Sequence, residues 1–178
     1  MKNFKESQTY KNLQKAFEGE AKAHLKYQFY KSQLSNTSKE LEEILEEIIH
    51  NEKEHGKIWF KQLHDGSLPS DADNLYDAIK GELHECNEMY PEFAKTAFDE
   101  GFDYIGELFT AVSKIEGRHA KEFESILDSL KEESLFKSDE KTNWICRNCG
   151  HVIYDSKEPP AECPICKHPR KYFTRNKE

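Results

Sequence analysis

At 178 residues the chain can fill one good core and a small accessory domain, and its 36% hydrophobic and 34% charged residues are ordinary for a helix-rich protein. The polar opening MKNFKESQTY reads against a secretory signal, and no apolar run approaches a membrane span, so we expect a cytoplasmic protein with reduced or metal-bound cysteines rather than disulfides. Residues 141–178 hold eight Lys/Arg against four Asp/Glu and the first 140 hold 18 against 30, so a basic tail follows an acidic body; this admits a tail that binds nucleic acid or two parts that dock on each other.

Four long helical patterns follow in order, roughly 6–35, 39–64, 74–99 and 102–132. On the first, Glu20 shares a face with Leu13, Ala16, Phe17, Ala23, His24 and Tyr27; His24 reads as a flanking or packing residue. The turn SNTS, 35–38, ends it, with Ser38 a candidate N-cap and Glu42 near the capping-box position. On the second, at 100° per residue, Leu45, Ile48, Ile49, His55, Gly56 and Trp59 fall within about 60° of Glu52. A carboxylate and an imidazole three residues apart thus lie on the face that should be buried, where both can reach one metal ion. DGSLPSDAD, 65–73, is the next break. The third pattern puts Glu82 and Glu85 on a face with Ala78 and Met89, and Pro91 inside it should kink or interrupt the helix. Cys86 reads as an apolar residue rather than a ligand. After Gly101, the fourth repeats the second: Glu116 and His119 share a face with Phe109, Val112, Ala120, Phe123 and Leu127.

The heights agree. Glu20 precedes the first turn, near 37, by 17 residues, and Glu52 and His55 follow it by 15 and 18; Glu82 and Glu85 precede the second, near 101, by 19 and 16, and Glu116 and His119 follow it by 15 and 18. In antiparallel pairs these side chains come level, about 25 Å from the turns. Five carboxylates cannot be buried unpaired, and few Lys or Arg share their faces, so metal cations are the remaining counter-charge. One Glu-x-x-His is weak evidence and suits a surface Glu beside a tolerated His. Two of them, with Glu from each other helix at matching height, form the di-metal carboxylate pattern of a helix bundle.

KEESLFKSDEKT, 131–142, reads as a linker. Cys146-x2-Cys149 and Cys163-x2-Cys166 then bring four thiolates together from two tight turns, which suits a tetrahedral metal site. Spacing alone does not choose between zinc and iron. Trp144, Tyr154 and Phe173 are expected to pack around this small core.

The segments KAFEGEAKAHLKYQFY, EKEHGKIWF, GELHECNEMYPEFA, IEGRHAKEF and WICRNCGHVIYD…CPICKHP together resemble the rubrerythrin family over nearly the whole chain. The resemblance implies a mainly α fold: a ferritin-like four-helix bundle over 1–135, a linker over 136–142, and a small rubredoxin-like domain with short β-strands over 143–178. It implies a non-haem di-iron centre held by Glu20, Glu52, His55, Glu82, Glu85, Glu116 and His119. Glu52 and Glu116 would bridge, Glu82 and His119 would serve one iron and Glu20 the other, and Glu85 would exchange with His55 on that second iron. Tyr27 and Tyr90 would donate hydrogen bonds to bound oxygen species. Cys146, Cys149, Cys163 and Cys166 would bind one further iron, with zinc possible as misincorporation. The implied activity is reduction of hydrogen peroxide to water in oxidative-stress defence. Its electrons would come from rubredoxin or an NAD(P)H-dependent reductase through the rubredoxin-type iron, in a head-to-tail homodimer or larger homo-oligomer, with no nucleic acid or membrane partner. A ferroxidase, an oxygen reductase or an iron-handling protein is the alternative, and a zinc-ribbon binding module the more distant one. The sequence departs from the family pattern at Cys86 and Asn87, where His and Thr are common, and at His24, often Arg.

Overall fold

The computed structural model describes residues 3–35 and 38–175, so the turn expected at SNTS lies partly outside the described residues. The chain divides into two compact units, 1–70 and 71–178.

The first unit is a helical hairpin, α1 (Gln8–Ser32) and α2 (Lys39–Leu63). Ser7 starts α1 and Ser38 starts α2 in the same way, each side-chain oxygen accepting a backbone N–H three residues on, from Tyr10 and Leu41. The capping box expected at Glu42 does not form. That position lies one residue too far along, and its carboxylate sits 3.8 Å from the Lys39 ammonium instead. Phe17 stacks against Phe60 at 5.5 Å, and Lys31 reaches Glu46 at 3.2 Å. Gly56 is buried at the seam, where a Cβ would stand 3.6 Å from Glu20 Cβ. Asp65 and Gly66, both at positive φ, turn the chain out of α2, with Gly66 N–H bonded to Lys61 carbonyl at 2.7 Å.

The second unit begins with α3 (Asp71–His84), which starts three residues earlier than the pattern predicts and ends at Pro91's approach. Residues Glu85–Met89 form a single wide π-turn before α4 (Tyr90–Asp99). The interruption expected from Pro91 therefore takes the form of one extra residue in the turn ahead of it, at the point where the proline has no N–H to return to that turn. Gly101, at φ +83°, closes α4 as a Schellman cap with Phe102 N–H on Ala97 carbonyl at 2.8 Å. Then α5 (Asp103–Lys131) runs back along α3 and α4. Small residues (Ala94, Ala97, Gly106 and Ala120) are buried along this seam, with Leu127.

Three antiparallel strands follow, β1 (Thr142–Cys146), β2 (Val152–Ser156) and β3 (Phe173–Arg175), in the order β2-β1-β3. Trp144, Cys146, Cys163 and Phe173 form their core, and Trp144 donates its indole N–H to Ser156 carbonyl at 3.0 Å. Tyr154 was expected there too. Strand alternation turns Ile153 inward and leaves Tyr154 70% exposed. Among the described residues no helix is long and apolar enough to cross a membrane.

Candidate metal centres

Each unit brings three of the expected ligands together. In the hairpin, His55 Nδ1 lies 3.3 Å from Glu52 Oε2 and 3.8 Å from Glu20 Oε2. In the second unit His119 Nδ1 lies 2.7 Å from Glu116 Oε2 and 3.4 Å from Glu82 Oε2. Within each trio, one donor atom per residue falls within 4.8 Å of the others. The i, i+3 spacing of Glu and His on α2 and on α5 puts each pair on one face, and the packed neighbour, α1 or α3, supplies the third ligand.

These side chains are less buried than their positions on the apolar faces predict. Glu52 and Glu116 retain 19% and 14% of their side-chain exposure, and His55 retains 53%.

Electrostatics distinguish the trios. Burial, then the Glu116 charge, pushes Glu82 above the ordinary carboxylate range against the pull of His119. Hydrogen bonding with Glu20 and with His55 holds Glu52 below that range, against the opposing cost of burial. A proton on a carboxylate competes with a cation, so a raised carboxylate loses its metal at a higher pH. Each trio has one imidazole, so the carboxylates decide the difference. On acidification from neutral pH, the Glu82/Glu116/His119 trio should release Co(II) before the Glu20/Glu52/His55 trio does. Cobalt titrations at stepped pH on chains lacking one trio or the other measure this; release in the reverse order would contradict the assignment.

Glu85 belongs to neither cluster. It is half-buried at the first position of the wide turn, and its charge acts on Tyr90. The Tyr90 phenol is raised by burial first and by Glu85, Glu116 and Glu82 next, and its ring packs on Phe93 and Phe109. Tyr27 is half-buried on α1, 5.9 Å from the Tyr30 ring. Two neighbours of the first trio do more than pack. Trp59 Nε1 donates to Glu20 Oε1 at 3.4 Å, and the signal for it was an aromatic residue seven after Glu52. His24 bonds Ile49 carbonyl through Nδ1 at 2.9 Å and Gln28 Nε2 through Nε2 at 3.1 Å, which ties α1 to α2.

The four cysteines form the third cluster. Cys146 Sγ to Cys166 Sγ and Cys149 Sγ to Cys163 Sγ are both 3.7 Å, far from a disulfide length. With metal–sulfur bonds of about 2.3 Å a tetrahedron has edges of about 3.8 Å, so the spacing fits one tetrahedral ion. CRNCGH and CPICKH fold as matching knuckles: Cys146 N–H bonds His151 carbonyl and Cys163 N–H bonds His168 carbonyl, each at 2.8 Å. The His168 backbone N–H draws the Cys166 thiol down to about 6. Cys149, drawn down by the His151 N–H but pushed up by Cys166, burial and the other two thiols, stands at about 12. Gly150 and Lys167 take equivalent left-handed positions, φ 76° and 60°. A lysine is strained there, and its ion pair with Glu162 is exposed and contributes little. Lys167→Gly should therefore raise the stability of this region by about 1 kcal/mol; a lowered midpoint in thermal unfolding would show that the lysine side chain matters more than the backbone strain.

Helical hairpins bearing Glu/Glu/His trios, followed by a four-cysteine knuckle pair, define a carboxylate–histidine metal protein with an appended thiolate metal site. The family model described as Rubrerythrin matches residues 11–127 and, in a second overlapping match, 73–145; that described as Rubrerythrin, rubredoxin-like domain matches 144–174. The chain is 37% identical to Rubrerythrin-1 of Clostridium acetobutylicum, covering 97% of this chain and 96% of that one. It is 38% identical to a rubrerythrin of Porphyromonas gingivalis (97% and 92%) and 35% identical to one of Nitratidesulfovibrio vulgaris (97% and 96%). This chain belongs to the rubrerythrin family. It carries that family's di-iron ligand groups, Glu20, Glu52 and His55 with Glu82, Glu116 and His119, and a rubredoxin-like four-cysteine iron site.

Proposed function

We propose that the protein is a cytoplasmic hydrogen peroxide reductase that takes its electrons from rubredoxin or an NAD(P)H-dependent reductase through the four-cysteine site. It would act as a head-to-tail homodimer or larger homo-oligomer, with residues 1–135 as the ferritin-like part, 136–142 as linker and 143–178 as the rubredoxin-like domain. The observation that carries this reading is the coexistence of two hard carboxylate–imidazole trios with one cluster of four thiols. Hard oxygen and nitrogen donors suit non-haem iron, whereas four thiolates suit a one-electron iron carrier or zinc. A store of iron has no use for the second kind of site.

When bound, iron at the trios supplies electrons to the O–O bond of peroxide, and iron at the thiolates supplies them one at a time. The chain's own residues do the rest. Glu52 and Glu116, the least exposed carboxylate on each hairpin seam, orient His55 and His119 through the contacts described above. Tyr90 holds its proton at neutral pH because burial and three carboxylates disfavour the phenolate, so it can donate a hydrogen bond to a peroxide oxygen; Tyr27 is assigned the same role. Glu85, whose charge acts on Tyr90, is the additional carboxylate that would take the place of His55 as a ligand of the second iron.

The test is iron quantitation with stopped-flow mixing of the reduced protein against peroxide and, separately, oxygen. Rapid oxidation by peroxide with two waters formed per turnover supports the proposal. Reduced protein left unoxidised by peroxide removes it, and faster reaction with oxygen shifts it to an oxygen reductase.

A further inference from the structure

The wide turn at Glu85–Met89 leaves one carbonyl without a backbone donor. Tyr90 N–H, which an α-turn would send to Cys86, goes to Glu85. The next N–H along would extend the wide pattern to Cys86, but that residue is Pro91, which has none. The stranded Cys86 carbonyl is met from another helix: Ser113 Oγ, on α5, donates to it at 2.8 Å. One turn on, Gly117 lets the same residue sit close, since a Cβ there would stand 2.9 Å from Cys86 Sγ. Ser113 is also three residues before Glu116, on the helix that carries the trio. The extra residue of the turn rotates everything after it by about 100° relative to a continuous helix. It therefore decides where Tyr90 and the α4 aromatics point, and where Glu85 sits relative to Glu82.

We propose that Ser113 is a positioning residue, whose hydroxyl holds the wide turn open by serving the Cys86 carbonyl that Pro91 strands, and so fixes Glu82, Glu85 and Tyr90 against Glu116. Its consequence for metal binding rests on the function proposed above. The residue does not touch the ligands; it acts through the backbone of the turn, as an outer hydrogen bond does in other metal sites.

Pro91 makes the idea testable by rescue. In Pro91→Ala the new N–H can serve the Cys86 carbonyl, so the serine hydroxyl becomes dispensable. The full-length chain is compared as wild type, Ser113→Ala, Ser113→Thr and Ser113→Ala with Pro91→Ala. Amide exchange at Met89 and Tyr90 is followed in the metal-free protein, and Co(II) affinity of the Glu82/Glu116/His119 trio by titration. Ser113→Ala should speed exchange at both amides and weaken cobalt about tenfold. Ser113→Thr should behave as wild type, and adding Pro91→Ala should recover most of the loss. Wild-type exchange and affinity in Ser113→Ala, or a loss that Pro91→Ala leaves untouched, overturns the proposal. A wild-type chain that takes up no cobalt overturns the proposed function instead, and the exchange rates alone then decide the part played by Ser113.

Discussion

Replacing Glu116 by Ala should empty the second trio of metal and cut peroxide turnover at least about 100-fold, with the helices still folded. Glu116 is the least exposed of the six helical ligands and makes the shortest ligand–ligand contact, 2.7 Å to His119 Nδ1. Removing it leaves one carboxylate and one imidazole, too few to hold a divalent ion in competition with water. The loss should exceed the 10–100-fold typical of removing a residue that only supports a ligand. The substitution also has a signature that lost packing would not produce. The Glu116 charge is the second cause, after burial, of the raised Glu82 carboxyl, so Glu82 should titrate closer to the ordinary range in the metal-free variant. Glu116→Gln, which keeps the volume and removes the charge, should match Glu116→Ala on both counts. Iron content, peroxide-dependent oxidation and carboxyl chemical shifts against pH give the three readings. Full metal occupancy with undiminished turnover would exclude Glu116 from the centre.

The ligands were legible because helical geometry writes them at fixed spacing. Glu52/His55 and Glu116/His119 repeat the same three-residue step, and counting back to the turns finds Glu20 and Glu82 at matching height. The cysteine knuckles were legible for a related reason, since a two-residue gap within each pair closes a tight turn whatever lies between. What remained hidden depended on partners distant in sequence. Pro91 announced an interruption, but whether the chain would kink, break or widen depended on a donor from α5 that could serve the stranded carbonyl. Nothing in the local sequence marks Ser113 for that task. Trp59 looked like one more apolar residue of α2, because its indole N–H finds Glu20 only once α1 packs alongside. Tyr154 was misplaced because it continues the hydrophobic run of Val152 and Ile153, and only the strand register with β1 decides which of Ile153 and Tyr154 turns inward. Glu42 shows how narrow a capping signal is: one residue beyond the required position, the carboxylate turns to Lys39.

The second large effect concerns Cys163. It is fully buried in the core with Trp144, Cys146 and Phe173, and its backbone holds both ends of its knuckle, through His168 carbonyl and Lys167 N–H. Cys163→Ser should lose the metal of the sulfur site and loosen the strands around it, because ligand binding in such small units is folding free energy, about 10–16 kcal/mol for zinc-finger peptides. The chain has two tryptophans, and Trp144, 1% exposed, should shift its emission to the red while the helical circular dichroism stays nearly constant. The functional consequence separates the two kinds of site. Chemically reduced Cys163→Ser should still consume peroxide in a single turnover, since the trios lie on the helices and are untouched. With an external reductase as the sole electron source, sustained turnover should be almost entirely lost, because the one-electron thiolate site through which electrons enter is gone. Single turnover lost along with sustained turnover would mean that the sulfur site also supports the carboxylate centre. Sustained turnover retained would mean that electrons enter elsewhere, and that the four cysteines serve the fold rather than the reaction.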